Sequence, residues 1–144
     1  VLVRTSHPGA RDLQDLQDDG RPLWARTEQM NAPEAARAAG AGGWSGLMMV
    51  AGATGPDDAR RLRAAAGDAL FLVPGYGAQG AGARDAVAGF VRRGDRLEGG
   101  VVNASRSVAS PAGSLDAATA AAWESLIDAA LAAAQADLLA ATRG

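Results

Sequence analysis

The chain has 144 residues, 48% hydrophobic, 21% charged and 4% aromatic, with a net charge of −2. That length suits one domain able to bury most of its apolar surface, and so small a charge excludes a global field for drawing in nucleic acid. All 14 basic residues are arginine, cysteine is absent and histidine occurs once, which excludes Schiff bases, a P-loop lysine, thiolate chemistry, disulfides and His-cluster metal sites from this chain.

The longest apolar runs fall short of the ~20 residues a membrane span needs. No basic segment followed by an apolar stretch marks a signal peptide. The expected setting is therefore the cytoplasm, with neither membrane nor nucleic acid as partner.

Val1 to Arg4 read as a first strand, followed by a loop of special residues from Thr5 to Ala10. A domain seldom opens inside a core strand, so the chain is expected to be a piece of a longer protein. A helix is predicted from about Pro22 to Ala39, with Leu23, Trp24 and Met30 as apolar contacts and Gly40 to Gly43 as its stop. Pro33 within it predicts a kink or a restart.

Leu47 to Val50 form a second strand and Gly52 to Pro56 its exit loop, with Pro56, Asp57 and Asp58 opening a helix that reaches about Ala66. The third strand is Ala69 to Val73, its glycine loop ends near Gly82, and a helix is expected from Arg84 to Arg93. Gly100 to Asn103 make the fourth strand, before Ser105, Arg106 and Ser107. A last helix should start at Ser114 as N-cap and run to about Ala141, with Leu115, Trp123, Leu126, Ile127, Leu131, Leu138 and Leu139 near one face.

Such short, continuously apolar strands are those of a parallel sheet covered on both faces. Regular strand–loop–helix spacing implies right-handed crossovers. The result is an α/β fold of about four βα units, either half of an eight-unit barrel or a small open sheet. Polar and glycine residues gather in the loops after strands, where both architectures place their sites.

The stretch from Phe71 to Gly80 runs a buried strand into a glycine loop. Gly75, Gly77 and Gly80 match the spacing of a dinucleotide fingerprint, but two βα units precede them and the next strand ends in Asn103-Ala104-Ser105-Arg106 rather than an acid. Arg106 could serve a 2′-phosphate, so an NADP-binding oxidoreductase remains an alternative, as does a tight turn without a ligand. Pro74 ends the strand and withholds a donor. Gln79 offers both a donor and an acceptor at the loop tip, and Arg106 a planar fork suited to a phosphate. Ser6 stands where a strand end presents a hydroxyl. His7, held extended by Pro8, receives no role. Asp12, Asp15, Asp18, Asp57 and Asp58 read as helix-start or solvated acids, with no catalytic part.

Read together, Arg4 to Ala10 (RTSHPGA) with Asp12 to Asp15 (DLQD), Gly52 to Thr54 (GAT), Val73 to Gly80 (VPGYGAQG) and Ala104 to Ser107 (ASRS) resemble orotidine 5′-phosphate decarboxylase. The bacterial type with a TSNPG-like fifth strand is the most similar, and order and spacing follow the second half of that family. The resemblance implies a (β/α)8 TIM barrel of which residues 1–144 are a partial barrel: strands five to eight plus a long C-terminal helix, with the N-terminal half absent. It implies conversion of orotidine 5′-phosphate to UMP and CO2 without metal or organic cofactor, and a homodimer for the intact enzyme.

By the same resemblance Ser6 meets the pyrimidine amide edge, Gln79 links phosphate and base, and Arg106 grips the phosphate. The N–H groups of Gly80, Ser105 and Arg106 complete a phosphate cup, and Pro74 lines the pocket beside the reacting carboxylate. The family's DxKxxD array, whose lysine protonates C6 and whose second aspartate comes from a partner subunit, has no counterpart here. The chain alone is therefore expected to be inactive, carrying substrate-binding residues but no catalytic ones. A binding module for phosphoribosyl ligands is the further alternative.

Overall fold

The computed structural model describes residues 1–144. From the N-terminus, β1 (Leu2–Arg4) leads to a short α1 (Ala10–Gln14) and to two-residue strands β2 (Gln17–Asp18) and β3 (Arg21–Pro22). There follow α2 (Leu23–Arg37), β4 (Ser45–Ala51), α3 (Pro56–Ala66) and β5 (Ala69–Val73). Then come α4 (Ala83–Ala86), a hairpin of β6 (Val91–Arg93) and β7 (Arg96–Glu98), β8 (Gly100–Val102), α5 (Arg106–Ala109) and the 24-residue α6 (Ala120–Arg143).

The main sheet has the order β1-β4-β5-β8, all parallel. Successive strands of the sheet are thus spatial neighbours, as in one arc of a barrel. Helix α3 starts as its sequence dictates, with Pro56 in the first turn and Asp57 and Asp58 beside the partial positive charge of the N-terminus. The core lies between the sheet and its helices. Val3, Met49, Ala51, Phe71 and Val73 from the strands meet Trp24 and Ala35 of α2 and Leu62 of α3.

The opposite face is open. Leu2 is in register with Val50, Val50 with Leu72, and Leu72 with Val101. Three of these four are exposed, Leu2 at 69% and Val101 at 56%. Strands covered on both faces were expected, and this row is the correction: it is the face that a closed barrel turns inward.

Other expectations also change. Helix α2 passes through Pro33 without a break; the proline is solvent-exposed, so the carbonyl that loses its partner can be hydrated. Met30 is 80% exposed and is no core contact. The helix expected over Arg84 to Arg93 is a single turn followed by the β6–β7 hairpin, in which Gly94 (φ 64) makes the turn. Ser114 opens a 3-10 turn (Ser114–Asp116), and the cap of α6 is Thr119, whose Oγ1 accepts from the Ala122 amide at 3.1 Å.

None of the residues of α6 is buried, and Leu115 lies outside it. By length and composition α6 would also suffice to cross a membrane, with a window of mean hydropathy 1.2, which overturns the expectation that every apolar run is too short. It carries Glu124, Asp128, Asp137 and Arg143 and touches α4, α5 and β7.

Candidate functional site

The C-terminal ends of the parallel strands are laced by backbone hydrogen bonds. The Gly52 amide donates to Arg4 O (2.7 Å), Ala53 to Pro74 O (2.8 Å) and Asn103 to Val73 O (2.9 Å). Each loop is thereby fixed against its neighbour where its side chains emerge. Thr54 Oγ1 donates to Ser6 O at 3.2 Å, joining the exits of β1 and β4.

Gly75 is the meeting point. Its φ is +106°, and a Cβ there would lie 3.1 Å from Ser6 Cβ, 3.2 Å from Gln79 Oε1 and 3.5 Å from Thr54 Cγ2. A side chain would be both strained and in the way. Glycine lets three polar residues from three strand exits converge. Ser6, Thr54 and Gln79 line a pocket of about 270 Å³ together with Arg4, His7 and Arg11.

Beneath this pocket Arg4, 5% exposed, ends β1 between two carboxylates. Its Nε donates to Asp58 Oδ2 at 2.9 Å and its Nη2 to Asp15 Oδ2 at 3.3 Å. Nη1 also lies 2.8 Å from Asp15 Oδ1 as an ion pair, without hydrogen-bond alignment. Asp15 and Asp58, expected as helix-start or solvated acids, therefore also tie α1 and α3 to the end of β1. The Arg4 charge is neutralised internally and is not what attracts an anion. Arg11 and Arg106 form no ion pair within the chain, so their charge stays at the surface.

The glycine loop closes on itself. Gly80 donates to Gly77 O (2.8 Å) and Gly77 to Ala81 O (3.0 Å). Tyr76 Oη donates to Asp137 Oδ2 at 2.9 Å, fastening the loop to α6; burial, then Asp137, pushes this phenol above its usual range. The loop does not open a helix as a dinucleotide fingerprint requires, since only the four-residue α4 follows it. Beyond it, Ser107 of α5 packs on Gly77, its hydroxyl buried without a hydrogen-bond partner.

No protein-family model matches the chain. A Clostridium novyi protein named orotidine 5′-phosphate decarboxylase is 36% identical over 109 residues, covering 75% of this chain and 37% of that protein. One of the same name from Halorubrum lacusprofundi is 41% identical over 114 residues, covering 75% of this chain and 38% of that protein. A crystal structure from Toxoplasma gondii, assigned to orotidine-monophosphate decarboxylase, aligns with a TM-score of 0.66 at 24% identity, over 96% of this chain and 50% of that one. This chain is homologous to the orotidine 5′-phosphate decarboxylases.

It spans little more than a third of the length of the curated decarboxylases it matches. Its sheet is accordingly a partial barrel. The residues singled out by the decarboxylase-like motifs fall into two groups. Ser6 and Gln79 share one pocket. Gly80 lines a second concavity beside it, also with Gln79, but its amide is already used inside the loop, which corrects the expected three-amide cup. Pro74 is half-buried behind the loop, and Ser105 and Arg106 are exposed one strand away at the start of α5. None of these last three lines the pocket around Ser6. Sequence reasoning missed Thr54 and Arg4 as parts of the site, although both stand at strand ends within quoted motifs.

Proposed function

We propose that this chain carries the nucleotide-gripping part of an orotidine 5′-phosphate decarboxylase, the activity that yields UMP and CO2. The observation that carries this reading is the convergence of Ser6, Thr54 and Gln79 on Gly75, one strand away from the unpaired Arg106. Ser6 addresses the edge of the base, and Gln79 bridges base and phosphate. Arg106 supplies the guanidinium for the phosphate, with the amides of Ser105 and Arg106 at the opening of α5, where helix geometry provides no backbone acceptor. Pro74 forms the apolar wall near the reacting carboxylate.

Decarboxylation leaves an electron pair at C6 that needs a proton, and a lysine is the family's donor for it. The chain has no lysine. It binds, and the remote phosphate grip is the kind of interaction that such an enzyme turns into transition-state stabilisation, but the proton step lies with residues that this chain does not supply.

Two measurements test this. UMP should raise the melting midpoint of the purified chain, as any ligand selective for the folded state must, while NADP leaves it unchanged. Orotidine 5′-phosphate should release no CO2. A response to NADP in place of UMP would favour the oxidoreductase alternative, and CO2 release would sink the division of labour.

A further inference from the structure

His7 is the only histidine of the chain and lines the pocket with Ser6, Thr54 and Gln79. Its hydrogen-bond neighbours determine where its proton sits. The Thr5 amide donates to Gln14 Oε1 at 3.1 Å. That contact sets the orientation of the Gln14 amide, because a backbone N–H cannot donate to an NH2 group. The other end of the amide, Nε2, then donates to Thr5 Oγ1 at 3.1 Å.

One lone pair of the Thr5 hydroxyl is thereby occupied, and its single hydrogen has no acceptor within the chain other than His7 Nδ1, 2.8 Å away, so the arrangement that uses that hydrogen has Nδ1 accepting. A ring that accepts at Nδ1 carries its proton at Nε2 when neutral. Arg4 is matched by Asp15 and Asp58, Arg11 shares the pocket wall, and Asp12 lies across Gly9 from the ring.

We propose that His7 is a hydrogen-bond donor to bound nucleotide through Nε2–H, its tautomer set by the Gln14–Thr5 relay. The ligand group it takes is an oxygen acceptor of a pyrimidine nucleoside monophosphate, so the inference rests on the nucleotide reading above. His7 is then a specificity-determining residue that gives β1 a second donor beside Ser6.

Because there is one histidine, a ¹⁵N-histidine-labelled chain yields a single imidazole signal set. The imidazole of the free chain, once deprotonated, should show the Nε2–H tautomer, and Thr5→Val should abolish that preference. UMP should shift the Nε2 resonance. His7→Phe should weaken UMP by about threefold to tenfold, the range of one net hydrogen bond, and His7→Gln, which keeps a donor, should recover most of the loss. An Nδ1–H tautomer in the free chain overturns the inference. So does UMP binding, seen in the backbone amides from Gly75 to Gln79, that leaves the imidazole unmoved or His7→Phe unaffected. UMP that moves neither the imidazole nor those amides overturns the nucleotide reading itself, and the donor role with it.

Discussion

Two buried arginines hold opposite ends of the sheet by different chemistry. Arg4, at the C-terminal end, is matched by carboxylates. Arg63, in the last turn of α3, is 8% exposed and has none within ion-pair distance. Its guanidinium donates to four backbone carbonyls, Gly89 (2.8 Å), Gly67 (2.5 Å), Ala69 (2.7 Å) and Gly99 (2.9 Å). It also stacks 3.8 Å from the Phe71 ring centroid. Burial pushes its pKa down to about 10, with Asp68 opposing, so it remains charged at neutral pH. Arg63→Met should cost about 2–4 kcal/mol in urea unfolding, since it strands buried carbonyls. Arg63→Lys should not restore the loss, because an ammonium cannot span the fork. A loss under about 0.5 kcal/mol, the scale of an ordinary surface change, would refute the clamp. No spacing rule marks Arg63 in the sequence; only the fold gives it four carbonyls to hold.

At the scale of elements, legibility followed local chemistry. The third strand and the helix before it were readable at Ala69 to Val73 and Pro56 to Ala66, because an apolar run and a first-turn proline each have one interpretation. Both hairpins were missed although their signals are present. Asp19 (φ 51) and Gly20 (φ 73) form the left-handed Asp-Gly turn between β2 and β3, and Gly94-Asp95 stands between alternating residues of β6 and β7. Glu28 of α2 was not anticipated either. It lies four residues after Trp24 on the buried face, 6% exposed, and burial raises its carboxyl above the usual 4.5. A raised acid favours the fold below its unfolded pKa and costs stability as pH climbs through the folded value. Glu28→Gln should therefore raise the melting midpoint at pH 7 and change it little at pH 4. Stabilisation that is equal at both pH values would exclude the linkage.

For the whole molecule, the strand-end motifs carried the resemblance to the decarboxylases with which the chain also aligns, and two of the residues they singled out, Ser6 and Gln79, share one pocket. Ser6 and Gln79 meet because neighbouring parallel strands deliver their loops to one edge, a consequence of sheet order that the sequence spacing already implied. That Thr54 sits between them, that Gly80 spends its amide internally, and that the Leu2–Val50–Leu72–Val101 row is open depend on tertiary packing, which spacing does not encode. The exposed row and the unburied α6 fit a chain whose relatives are more than twice as long. The proposed grip on the phosphate of a pyrimidine nucleotide is open to calorimetric titration of UMP and of uridine into the chain and its Arg106→Ala variant. Arg106→Ala should weaken UMP by about tenfold to a hundredfold, the range of a charge-assisted hydrogen bond, and leave uridine within about twofold; an equal loss for both ligands would refute the phosphate grip.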